Sequence, residues 1–88
     1  MTTYVVSFMP KDDAERAKLT QVLRTFPGVC PIHNYCWSIM ANNTATEVRD
    51  KITAAAPNAK VFVMKSSGAA AWRGSFGEKH NEWLKKNL

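Results

Sequence analysis

Long apolar runs are missing from this chain. No stretch of its 88 residues approaches the roughly 20 consecutive apolar residues that a membrane-spanning helix needs, so no membrane partner is expected. The opening MTTYVVSFMPKDD has no basic start, no longer apolar stretch and no small-residue cleavage site of a secretory signal. A cytoplasmic protein is the expectation. Cysteine is scarce too: Cys30 and Cys36 are too few for a secreted disulfide scaffold. They read as reduced, partly buried thiols, because a metal site would need two further ligands and His33 is the only obvious neighbour. Glycine and proline number four each, against 45% hydrophobic and 22% charged residues, which excludes a disordered or low-complexity chain.

Catalytic signatures are equally thin. The sequence has no phosphate-binding glycine loop, no metal-spaced His/Cys cluster and no nucleophile motif. Its two histidines, His33 in a predicted turn and His80 on a predicted helix, are not placed together by anything in the pattern. Asp12, Asp13, Glu15, Glu47 and Glu78 all fall at helix starts, where carboxylates complement the helix dipole. No cofactor and no metal ion are expected.

What is present is an alternation of strand and helix patterns. Thr3 to Met9 reads as a strand with Tyr4, Val6 and Phe8 on one face and Val5, Ser7 and Met9 on the other. Apolar residues on both faces suit a central strand, and Pro10 ends it. Asp12 or Asp13 caps a helix running to about Phe26, with Leu19, Val22, Leu23 and Phe26 as its buried stripe and Lys18, Gln21 and Arg24 facing away. Pro27-Gly28 stops it. Val29–Ile32 and Tyr35–Ala41 form a hairpin around His33-Asn34, and Pro31 assigns the first of these strands to an edge or a bulge. Thr44-x-x-Glu47 is a capping box, opening a second helix with Ala45, Val48, Ile52 and Ala55 or Ala56 inward. Lys60 to Lys65 is a fourth strand. A small-residue loop, Ser66 to Gly74, and a second capping box, Ser75-x-x-Glu78, lead into a last helix lined by Phe76, His80, Trp83, Leu84 and Leu88. The order β-α-β-β-α-β plus a C-terminal helix predicts one ferredoxin-like domain over residues 1–88, an α+β fold with a four-stranded antiparallel sheet.

A chain of this size buries only roughly 60–65% of the surface its unfolded form exposes. Its core is thin, and an open four-stranded sheet leaves edges, so a homodimer is expected. Net charge is +5, and residues 60–88 carry most of it: Lys60, Lys65, Arg73, Lys79, Lys85 and Lys86 face only Glu78 and Glu82. That asymmetry is a footprint for DNA, RNA or another acidic partner, and it is equally a solvated surface. Lys65, Trp72, Arg73, Lys79, Lys85 and Lys86 are the candidate nucleic-acid contacts. Trp37 and Trp83 read as core; Trp72, between Ala71 and Arg73, reads either as a plug at the sheet edge or as a stacking platform.

The last stretch, GAAAWRGSFGEKHNEWLKKNL, resembles the close of SinR-like small proteins, relatives of the small CRISPR-associated adaptation subunit. The resemblance rests on Ala71-Trp72, Gly74, Trp83-Leu84 and Asn87-Leu88, with Trp37 in YCWSIM, the helix opening Thr44 to Asp50 and the first strand TTYVVSF in support. It implies a ferredoxin-like fold, homodimers and, in the CRISPR subunit, DNA bridging beside an integrase. Some relatives are metal-dependent nucleases that use an aspartate at the end of the first strand. Here that strand ends Ser7-Phe8-Met9-Pro10, so a non-catalytic binding module is the expectation. The alternatives are a metal-dependent endonuclease or ribonuclease using Asp12 or Asp13, and an accessory protein of a mobile element that binds only protein; a toxin-like ribonuclease of the VapD type, built on the same fold, is a more distant likeness.

Overall fold

Alternation in the first strand decides which way the sheet faces. The computed structural model describes residues 1–66, 71, 73 and 77–87. Within them the order is β1 (Thr2–Met9), α1 (Asp13–Leu23), β2 (Gly28–His33), β3 (Cys36–Ala41), α2 (Ala45–Ala55), β4 (Lys60–Lys65) and α3 (Glu78–Asn87). The strands lie in the order β2-β3-β1-β4, and each neighbouring pair is antiparallel. This is the ferredoxin-like fold that the sequence pattern predicts. β1 is central, and β2, which carries Pro31, is an edge strand with a register shift between Pro31 and His33.

Tyr4, Val6 and Phe8 point into the layer beneath α1 and α2, and their cross-strand partners Ile39, Trp37, Val63 and Val61 share that face. Leu19 and Leu23 of α1, Phe26 just beyond it, and Val48, Ile52 and Ala56 of the second helical segment close the core from above. The Tyr4 hydroxyl donates to the carbonyl of Asn43 at 2.7 Å, which fixes the turn between β3 and α2.

Both first-turn caps form. Asp12 Oδ1 accepts from the Glu15 amide at 2.8 Å, and Thr44 and Glu47 make the reciprocal capping box. Glu15 does more than open a helix. It is buried, and its two carboxylate oxygens accept from the amides of Lys11 at 2.8 Å and Asn58 at 3.1 Å. One side chain thus ties the start of α1 to the loop that precedes β4, 43 residues away.

The end of α1 and the hairpin turn differ from the sequence reading. α1 ends at Leu23, with Arg24 as its C-cap, and Phe26 reaches the core from the turn that follows. The hairpin turn is Asn34-Tyr35, so β3 starts at Cys36; the register shift beside His33 moves the turn by one residue. Ser75, Phe76 and Leu88 lie outside the described residues. Gly77 stands at the start of α3, its carbonyl accepting from the Asn81 amide at 3.0 Å. Its φ of +152° is one that side chains with a Cβ rarely adopt.

The other sheet face is covered on one side only. Cys30 lies opposite Ser38 in the register and, by the pleat, both point away from α1 and α2. They are nonetheless 2% and 0% exposed. α3 packs against β2, and its Leu84, 1% exposed, lies outside the main core cluster. A small second core therefore forms beneath α3. Leu84 is its anchor; Trp83, expected in the core, is only partly buried. Among the described residues the buried Ser38 Oγ has no hydrogen-bond partner, and an unsatisfied buried hydroxyl costs roughly 1–3 kcal/mol.

Two stability measurements follow from this packing. Glu15→Ala strands two partly buried amides, so it should cost roughly 2 kcal/mol and lower the midpoint by roughly 10 °C. Glu15→Gln should recover part of that, since one amide oxygen still accepts; equal melting of both variants and the parent would contradict the tether. Leu84→Ala should cost roughly 2–5 kcal/mol and speed thiol labelling of Cys30, because α3 is its cover. Unchanged labelling would mean that α3 does not lie over β2.

Candidate functional site

The basic residues expected to bind nucleic acid do not form one cluster. Lys79 is exposed in the first turn of α3, and Lys85 and Lys86 are exposed in its last turn, where the helix dipole favours cations. Arg73 is exposed as well; Trp72 lies outside the described residues. Lys65 is elsewhere. It is paired with Tyr4, so it leaves the sheet on the α1–α2 face, at the far edge from β2. Three strand spacings, about 14 Å, separate its backbone from the strand that α3 covers.

The half of the sheet that α3 leaves open, among the described residues, carries exposed apolar side chains. Phe62 lies opposite Ser7, Met64 opposite Val5, and Lys60 opposite Met9, all on the face away from α1 and α2. Phe62, Met9 and Met64 are 63%, 62% and 51% exposed. An open recess of about 330 Å³, lined by Met9, His33, Tyr35, Lys60 and Phe62 among others, adjoins them. The edge beside this patch can be read from two hydrogen bonds. Phe8 N–H donates to the Tyr35 carbonyl, and Ser66 N–H donates to the Thr3 carbonyl, both at 2.9 Å. Backbone direction alternates along an antiparallel strand, so residues 62, 64 and 66 turn toward β1, and Val61, Val63 and Lys65 turn their amides and carbonyls outward. No described residue pairs with β4 on that side. The sequence displayed KVFVMK as a strand but carried no sign of which neighbour it would lack.

Several other titratable groups are occupied in structural roles. Cys30 and Cys36 are free thiols, and burial raises the pKa of both, which keeps them protonated and unreactive at neutral pH. His33 Nδ1 accepts from the Tyr35 amide at 3.2 Å in the hairpin turn. Asp12 is the cap of α1. Among the described residues no group of three His, Cys, Asp or Glu side chains comes together as a metal site, and no helix is long and apolar enough to cross a membrane.

A feature the sequence did not display is the placing of cations over rings. The Arg16 guanidinium stands 5.8 Å from the centroid of Tyr35, that of Arg24 5.1 Å from Trp37, and the Lys51 ammonium 4.7 Å from Phe26. Arg24 belongs to the outward face of α1 by helical spacing. Its partner, Trp37, comes from β3, and only the packing of helix on sheet brings the two together.

No family model matches this sequence, and no curated protein sequence does. A solved structure does match: the crystal structure of a hypothetical protein, TT1823, from Thermus thermophilus, with a TM-score of 0.67 at 16% identity, covering 83% of this chain and 90% of that one. At that identity the two chains are similar in fold, and the ferredoxin-like arrangement is what they have in common.

Proposed function

We propose that the chain is a homodimeric binding module whose two copies meet through the β1–β4 half of the sheet, and that the pair binds nucleic acid through its excess of positive charge. One observation carries the reading: Met9, Phe62 and Met64, each more than half exposed, share an uncovered sheet face beside an open edge strand. Monomeric domains rarely leave contiguous apolar patches uncovered, and unpaired strand edges are ordinarily blunted. A second copy answers both. Antiparallel pairing of β4 with itself across a two-fold axis is allowed by the pleat, since Val61 of one copy would face Val63 of the other and exchange both hydrogen bonds. The same register sets the two Phe62 rings side by side.

The nucleic-acid half of the reading draws on the net charge of +5 and on the exposed cations of the last third, Arg73, Lys79, Lys85 and Lys86. Two copies double that charge. The resemblance of the final stretch to SinR-like proteins and to the small CRISPR-associated adaptation subunit points the same way.

Light scattering should give about twice the 9.8 kDa chain mass. Phe62→Glu combined with Met64→Glu should return the monomer with its far-ultraviolet spectrum intact. A mass of one chain across micromolar concentrations would end the dimer reading. Titration with a labelled 20-base-pair duplex should show micromolar binding that weakens steeply with salt, through counterion release, and little sequence preference. Changing Arg73, Lys85 and Lys86 together to glutamate should weaken it further. No binding at low salt would leave a protein-binding module in its place.

A further inference from the structure

The charge asymmetry of the sequence directs attention to the last third of the chain, but two cations of the α1 stripe have aromatic partners. Arg16, Thr20 and Arg24 follow one another at intervals of four, so they form one stripe along the helix. Each arginine at the ends of the stripe lies over an aromatic side chain of the β2–β3 hairpin, Tyr35 for Arg16 and Trp37 for Arg24. Between them runs an open recess of about 470 Å³, lined by Asp13, Arg16, Ala17, Thr20, Arg24 and Trp37. A second recess of about 370 Å³ continues it past Tyr35 and shares Asp13 and Arg16 with the first. Lys11 contributes a further positive charge there.

Neither arginine is held by a carboxylate: the ion pair among the described residues is Arg49 with Asp50. A guanidinium stacked on a ring loses rotamer freedom before any ligand arrives, while its in-plane N–H groups stay directed outward. Such a group is prepared for the geometry of phosphate oxygens. The separation of the two arginines sets the size of the ligand. Eight residues of α-helix place the two backbone positions about 12 Å apart, a spacing that suits successive charges of a polymer.

Two features oppose an anion. Asp13 lines the joint of the recesses, and Asp12 lines the second; Asp12 is engaged by the Glu15 amide. The C-terminal end of α1, where Arg24 sits, also attracts that arginine through its free carbonyls. That attraction helps to place the guanidinium and uses little of its donor capacity.

We infer that Arg16 and Arg24, braced on Tyr35 and Trp37, form a phosphodiester-binding track along the outer flank of α1. The track rests on the nucleic-acid reading given above and says which residues grip the backbone. The β1–β4 face assigned to the second copy meets the track at its Tyr35 end, where Met9 lines the second recess; the first recess, with Arg24 and Trp37, has no residue of that face in its lining.

The test uses the full chain with a 20-base-pair duplex and a 20-nucleotide single strand, each titrated over a range of salt concentrations. Arg16→Gln and Arg24→Gln should each weaken binding several-fold at low salt, and the double variant should flatten the log–log salt slope by roughly 1.8 for duplex or 1.4 for single strand, two phosphate contacts being lost. Lys18→Gln removes the same charge from the exposed side of α1 and should change affinity less than twofold. Asp13→Asn should tighten binding. Melting curves establish that each variant is folded. Independently of any variant, backbone amide signals of residues 13–24 and 33–37 should shift when either oligonucleotide is added to the parent. If the parent binds but the arginine variants match Lys18→Gln, or the shifts are confined to α3, the track is wrong and the broader reading stands. If the parent binds neither oligonucleotide at low salt, both fall.

Discussion

The register of β1 between its two neighbours is the constraint on which the rest of the molecule depends. Its residues alternate not only in side-chain direction but also in backbone direction: Phe8 bonds toward β3, and Thr3 toward β4. Val6, fully buried, sits opposite both Trp37 and Val63, and so fixes two ladders at once. A slip of one residue in either ladder would send Tyr4, Val6 and Phe8 to the wrong face of the sheet. The caps act on the same geometry from outside. Glu15 holds the chain entering α1 and the chain entering β4 through one carboxylate, so the two crossovers that flank β1 share a fastening.

From that register follows the inequality of the two faces. Two helices bury Tyr4, Val6 and Phe8 on one face, and one short helix covers part of the other. α3 lies on β2, at one edge, and leaves β1 and β4 with Phe62, Met64 and Met9 in water. The hydrophobic effect is roughly proportional to apolar area removed from solvent, and in a small domain that area is limited. The surface left over is therefore a reservoir of association energy, located where an unpaired strand edge can add backbone hydrogen bonds to it.

Electrostatics are arranged by a different rule. Counting charges along the chain singles out residues 60–88, yet Lys65 leaves the sheet on one face while α3 lies on the other. Among the described residues three cations lie over aromatic rings, Arg16 on Tyr35, Arg24 on Trp37 and Lys51 on Phe26. A long side chain in water loses entropy on binding a ligand; one already stacked loses less. Net charge governs attraction at a distance, whereas the packing of α1 on the β2–β3 hairpin sets where Arg16 and Arg24 stand.

Much of this architecture was legible in the sequence for local reasons. Alternation in TTYVVSFM and CWSIMA, the Thr44–Glu47 capping box and the Leu19–Val22–Leu23 stripe each express an interaction between residues near in the chain, so β1, β3, α2 and the body of α1 could be placed, and Pro31 marked β2 as an edge through its missing amide. The turn at Asn34-Tyr35 shifted by one residue because a bulge beside His33 depends on pairing with the opposite strand. The candidate sites were less legible. That Phe62 and Met64 are exposed while Leu84 is buried depends on which half of the sheet α3 covers. That Arg24 meets Trp37 depends on where a helix crosses a hairpin. Such contacts join residues distant in the chain, and periodicity records only which face of an element is apolar. What covers that face, or fails to, was decided by the tertiary structure.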